Sequence, residues 1–117
     1  MEYKNYTVAE VLELSERRKN ENTAVGVEGI IIRLDASPKK AAVSNITFDI
    51  KDPTGEIYCS AFYEGSRYSD LAKVLKGAYQ NKTPLKVEGK LLISDPGDGF
   101  IGVDNLYVIF RMNDQND

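Results

Sequence analysis

Between Asn45 and Lys51 apolar and polar residues alternate without a break. Ile46, Phe48 and Ile50 fall on one side, and Asn45, Thr47, Asp49 and Lys51 on the other. A period of two belongs to a strand with one face in a core. Asp52, Pro53, Thr54 and Gly55 follow, with proline and glycine where a tight turn takes them. The alternation resumes from Glu56 to Tyr63, with Ile57, Cys59 and Ala61 on one face and Tyr58, Ser60 and Phe62 on the other. Two such strands joined by a turn require a sheet with an inside and an outside.

The rest of the chain supplies three more strands and two helices. Thr7 and Glu10 have the spacing of a capping box, and Val8, Val11 and Leu12 follow at helical spacing, so a short amphipathic helix is expected to about Arg18. Its apolar stripe needs a surface, either its own domain or a partner. Ala24 to Leu34 is a Val/Ile-rich strand interrupted by Gly26 and Gly29, and the loop from Asp35 to Ala42 carries Lys39 and Lys40. A second helix is expected over 69–76, with Leu71, Ala72 and Leu75 on its apolar face and Gly77 placed to stop it. Pro84 to Ile93, containing Gly89, and Phe100 to Phe110, bent at Asp104 and Asn105, are the last strands. The turn Asp95-Pro-Gly-Asp98 lies between them. Tyr107 is expected to cap the end of the barrel these strands form.

Composition removes whole classes of chemistry. The 117 residues contain no His and one Cys. Zinc sites draw on both residues, and the usual nucleophile pairs need a His, so neither a metal, a cofactor nor an enzyme activity is expected. Asp95, Asp98 and Asp104 fit no calcium loop and suit turns. Cys59, sharing a face with Ile57 and Ala61, is expected to be a buried, inert thiol. No apolar run approaches about 18 residues and no basic-then-apolar leader follows Met1, so a soluble, cytoplasmic chain with no membrane partner is expected. A net charge of −3 argues against a strong nonspecific polyanion binder.

Helix, three strands, helix, two strands is the order of a mainly β protein built on a five-stranded Greek-key barrel, the OB-fold. A helix closes the barrel between strands three and four, and glycines in strands one and four allow the coiling. The expected organisation is an N-terminal helix and linker over 1–23, the barrel over 24–110 and a polar tail over 111–117. The run from Ile46 to Glu64, with Asp52, Thr54, Gly55, Glu56, Ile57, Ala61, Phe62 and Glu64, resembles the OB domains of the replication protein A large subunit. Phe100, Val103, Asn105 and Tyr107 resemble that family's last strand. The Asp-x-Thr-Gly-x-Ile portion is shared by many OB domains, anticodon-binding ones included. The chain has Tyr58 where the family places Arg.

The resemblance implies that Phe62 and Phe100 stack on the bases of single-stranded DNA. Alternation independently puts Phe62 on the outer face. Tyr58 is a further stacking candidate, and Lys39, Lys40, Arg33 and Lys51 would form a modest basic rim. The expectation is therefore a single-stranded nucleic-acid binder, DNA before RNA, in DNA replication or repair. The alternatives are an RNA- or tRNA-binding module, and a protein-interaction module using the N-terminal helix or the face of strands two and three.

Overall fold

The computed structural model describes residues 2–36, 43–64 and 67–109, with side chains over 2–36, 45–61 and 70–109. In chain order the elements are β1 (Lys4–Asn5), α1 (Val8–Leu14), β2 (Ala24–Asp35), β3 (Val43–Asp52), β4 (Gly55–Glu64), α2 (Arg67–Asn81), β5 (Leu85–Asp95) and β6 (Asp98–Val108), with a 3-10 turn at Arg18–Asn20. The tight turn at Asp52–Gly55 sets one register for the whole β3–β4 hairpin, from Asp52 opposite Gly55 to Val43 opposite Glu64. That register puts Ile46, Phe48, Ile50, Ile57 and Cys59 inside, all of them buried. β6 and β5 complete the strand order β1-β2-β3-β4-β6-β5, and pairing of β2 with β5 closes the barrel. β6 runs parallel to β4, with Cys59 beside Ile101 and Ser60 beside Gly102. Five strands in this order, with α2 between β4 and β5, form the OB-fold, as the alternation and element order lead one to expect. The short β1 is an addition, pairing parallel with β2 at Val25 and Gly26.

Closure depends on β2 changing partner. Its first half pairs with β5 down to Gly29 opposite Leu85, and its second half pairs with β3 from Ile30 opposite Lys51. A Cβ on Gly29 would stand 2.7 Å from the Lys51 carbonyl oxygen, so glycine permits the two backbones to meet at the bend. The bend expected in the last strand is a bulge. Glu88 pairs with Asn105 and Gly89 with Val103, which leaves Asp104 as the extra residue. Asp104 accepts a hydrogen bond from the Tyr3 hydroxyl at 2.9 Å. Tyr107 does not cap the barrel. It stands outward on β6 opposite Lys86 and is 51% exposed, because its place in the register has the outward parity of Asn105.

Helix α1 closes one part of the barrel. The first N–H groups of any helix lack internal partners. Here Val8 N–H donates to Asp52 Oδ2 at 2.8 Å, Ala9 N–H to Thr54 Oγ1 at 2.9 Å and Glu10 N–H to Thr7 Oγ1 at 3.1 Å. Thr7 N–H donates back to Glu10 Oε1 at 2.8 Å, completing the expected capping box. Val8 and Val11 are fully buried in the barrel core, each contributing about 2 kcal/mol. The helix ends at Leu14, short of Arg18. There the Asn20 amide donates to the Leu14 carbonyl, and the Gly97 N–H donates to the carbonyl of buried Ser15.

Asp52 links this helix to the hairpin turn. Its Oδ1 also accepts from Thr54 N–H at 2.7 Å, Thr54 Oγ1 at 2.6 Å and Gly55 N–H at 3.1 Å. Desolvation alone raises the Asp52 carboxyl, but the hydrogen bonds from the Thr54 side chain and from the Val8, Thr54 and Gly55 amides outweigh it. Its pKa lies below the ordinary value. A depressed folded pKa adds stability above the unfolded value of about 4, and that stability is lost as pH falls through the folded pKa. Asp52→Asn is therefore expected to lower stability by about 1–2 kcal/mol at neutral pH. Urea unfolding of both proteins from neutral to acid pH checks this: the gap between them should narrow below about pH 4.

Helix α2 is longer than the pattern predicts, and Gly77 does not stop it. The stop is Lys82, at φ 53°, with Thr83 N–H donating to the Ala78 carbonyl at 3.0 Å and Lys82 N–H to the Tyr79 carbonyl at 3.4 Å. Pro84 then prevents Thr83 from continuing the helix. Leu75 and Ala78, buried on either side of Gly77, hold the helix through it. A Cβ on Gly77 would meet nothing within 4 Å. Gly77→Ala is thus expected to stabilise the protein by about 1 kcal/mol, read as a melting point higher by about 4 °C.

Candidate nucleic-acid interface

Residues of like parity on neighbouring strands share a face, and on the outer face of the barrel this brings four site candidates or their partners into one row. Arg33 of β2 lies opposite Asp49 of β3, which lies opposite Tyr58 of β4. Across the parallel β4–β6 pairing, the Phe100 ring meets Tyr58 edge-on, with centroids 6.1 Å apart and planes at 64°. Tyr58 is 44% exposed and Phe100 half-buried. Phe100 also lies opposite Leu92 of β5. An exposed aromatic edge beside a half-covered ring offers a π-surface to a planar ligand.

The basic rim is weaker than the residue types imply. Arg33 donates through Nε to Asp49 Oδ2 at 2.8 Å and through Nη2 to Glu56 Oε1. The hydrogen bonds to Asp49 and then Glu56 raise its pKa further. Exposed ion pairs of this kind contribute little to stability, so a competing phosphate faces a low barrier, but two carboxylates remain beside it. Lys51 lies opposite Glu56 in the hairpin register and is exposed. Asp49 and Glu56 were absent from the sequence-derived candidates. The signal for them was present: the turn dictates which residues face each other, and so predicts Lys51 opposite Glu56.

The Phe62 backbone lies outside this row, four residues further along β4 from Tyr58 and opposite Asn45 on β3. Its side chain lies outside the described residues, as do Lys39 and Lys40. Cys59, on the opposite parity, is fully buried, and desolvation followed by the Asp49 charge pushes its thiol far up. Among the described residues no three His, Cys, Asp or Glu side chains come together as a metal site, and no helix is long and apolar enough to cross a membrane.

No protein-family model and no curated protein sequence matches the chain. Solved structures do. The chain is similar to asparaginyl-tRNA synthetase from Pyrococcus horikoshii at TM-score 0.60 and 17% identity, over 92% of this chain and 23% of that one. A putative aspartyl-tRNA synthetase from Leishmania major Friedlin matches at 0.62 and 13%, over 93% of this chain and 21% of that one. RecG bound to a three-way DNA junction matches at 0.62 and 16%, over 96% of this chain and 13% of that one. The OBody AM1L10, bound to hen egg-white lysozyme, matches at 0.58 and 16%, over 95% of this chain and 98% of that one. The chain thus spans less than a quarter of the synthetase chains it matches. At these identities the likeness is one of fold, and it agrees with the strand order: the chain is an OB-fold barrel.

Proposed function

We propose that this chain is a nucleic-acid-binding OB module that holds a single strand, DNA before RNA, by stacking bases on Tyr58, Phe100 and Phe62. The observation that carries this reading is the edge-on Tyr58–Phe100 pair on the outer face of β4 and β6. Large aromatics on an open surface gain little unless a ligand covers them. The sequence resemblance to replication protein A domains supports DNA. The matches to tRNA synthetases and to RecG on a DNA junction support nucleic acid in general. Arg33, Lys51, Lys39 and Lys40 supply the backbone contacts, and the activity is binding without chemistry.

Fluorescence anisotropy with labelled poly-dT, poly-rU and duplex, at low and physiological salt, tests this. Two to four phosphate contacts give a log–log salt slope of about −1.4 to −2.8 on single strands. Tyr58→Ala and Phe100→Ala are each expected to weaken poly-dT binding by about 1–3 kcal/mol, with little change in melting point. Equal affinity for duplex and single strand would sink the stacking mechanism.

One observation favours a second reading, a protein-interaction module. The row is not basic, because Asp49 and Glu56 hold Arg33. The OBody, whose length this chain nearly matches, is bound to a protein. Under this reading no oligonucleotide binds even at low salt.

A further inference from the structure

The outward side of β2 departs from the polar pattern of its neighbour. Along β3 the outward residues are Asn45, Thr47, Asp49 and Lys51, whereas along β2 Ile30 and Ile32 are half-buried on either side of inward Ile31. The register shift between Ile31 and Arg33 marks a bulge at Ile32. Ile30 and Ile32 form the floor of a groove of about 620 Å³, with Pro53 on one side and Tyr79 of α2 on the other. Tyr79 is 43% exposed. Lys51, Asp52 and Lys82 also line it, and Lys76 lies three residues before Tyr79 on the same edge of α2.

These lysines differ from Arg33. Among the described residues the side-chain ammonium groups of Lys51, Lys76 and Lys82 make no ion pair or hydrogen bond. Asp52, the acid in the groove wall, turns its oxygens to Val8, Thr54 and Gly55. The groove therefore combines a branched aliphatic floor with unpaired positive charge at its margins, on a chain whose net charge is −3. A nucleic-acid strand matches this poorly, since bases stack on aromatic faces and the floor is isoleucine. Leucine-like side chains match the floor, and neighbouring carboxylates match the lysines.

We propose that the groove between β2 and the C-terminal end of α2 docks an acidic, apolar peptide segment of a partner protein. The groove shares Lys51 with the basic rim proposed for the strand, but its isoleucine floor and Tyr79 are distinct from the Tyr58–Phe100 ring pair.

The probe is a fluorescein-labelled peptide of alternating Asp and Leu, titrated into the full chain beside an Asn–Leu peptide and labelled oligo-dT. The Asp–Leu peptide is expected to bind about tenfold more tightly than the Asn–Leu peptide. It is also expected to lose about tenfold in the Lys51→Gln, Lys82→Gln double variant, whose exposed substitutions leave the melting point in place. Amide shifts should move at Ile30, Ile32 and Tyr79, and Tyr58→Ala should leave the peptide affinity unchanged. Absence of binding, equal binding of the Asn–Leu peptide, or shifts confined to Tyr58 and Phe100 overturns the proposal. So does displacement of the peptide by oligo-dT that persists undiminished in Tyr58→Ala, which puts the strand itself in the groove, or concentration-dependent self-association that the peptide abolishes, which makes a second copy the occupant.

Discussion

Gly89→Ala is expected to be the most damaging small substitution in the barrel. A Cβ at this position would lie 2.1 Å from the Gly102 carbonyl oxygen, and 2.9 Å from both the Gly102 carbonyl carbon and Ile101 Cγ2. No real contact is that short, and the obstacle is backbone. The Gly102 carbonyl sits where β6 pairs with β5 and neighbours β4, so moving it disturbs two strand pairings at once. Overpacking that side chains can absorb costs about 1–3 kcal/mol. Here the relief must come from the barrel wall, so a loss of about 4 kcal/mol or more is expected, a large share of a typical domain's 5–15 kcal/mol. Urea titration followed by circular dichroism measures it. A midpoint for Gly89→Ala within error of the parent would show that the β5–β6 pairing yields far more easily than its geometry implies. Gly77→Ala, with an open Cβ position, is the natural comparison, because the same chemical change there has the opposite sign.

Phe48→Ala is expected to cost about 3–5 kcal/mol. Phe48 is the largest of the fully buried side chains, 1% exposed, and the barrel interior around it is closed by Leu34 and Cys59 in register on either side. Truncation forfeits the transfer energy of the ring and leaves a cavity that a closed barrel cannot collapse. Cys59 supplies an internal reporter. It lies directly opposite Phe48, is fully buried, and has its thiol pKa pushed up by that burial. In the parent it should react with a thiol reagent only through unfolding. In Phe48→Ala the labelling rate at neutral pH is expected to rise by about two to three orders of magnitude, in step with the lost stability. Slow labelling together with a parent-like urea midpoint would mean the cavity had been filled by repacking.

Some of this was legible in the sequence because the relevant signals are local. The period-two alternation and the Asp52–Gly55 turn lie within twenty residues of each other, and a tight turn leaves one register for the strands it joins. Inside and outside, including Phe48 and Cys59 within and Tyr58 without, follow from that register. The capping box at Thr7 and Glu10 is equally local. Gly77 signals a stop for α2 because glycine is the commonest helix terminator, yet the helix runs through it to Asn81. The better local signal was Pro84, two residues past Lys82.

What the sequence by itself determined, then, is the five strands of the barrel, the faces of the hairpin and the first turn of α1. The tertiary structure alone decided which distant residues meet. Phe100 reaches Tyr58 because β6 lies parallel to β4, a pairing between strands separated by a helix and another strand. Asp52 caps a helix that begins 44 residues earlier. Arg33, basic by composition, is held by Asp49 and Glu56 only once β2 has bent at Gly29 and left β5 for β3. Ile30, Ile32 and Tyr79 become one groove by the same bend. The physical reason is common to all four. Periodicity and turn chemistry act over a few neighbouring residues, whereas closure of a barrel is settled by how closely particular backbones approach, as at Gly29 and Gly89, and no short window of sequence contains both sides of that contact.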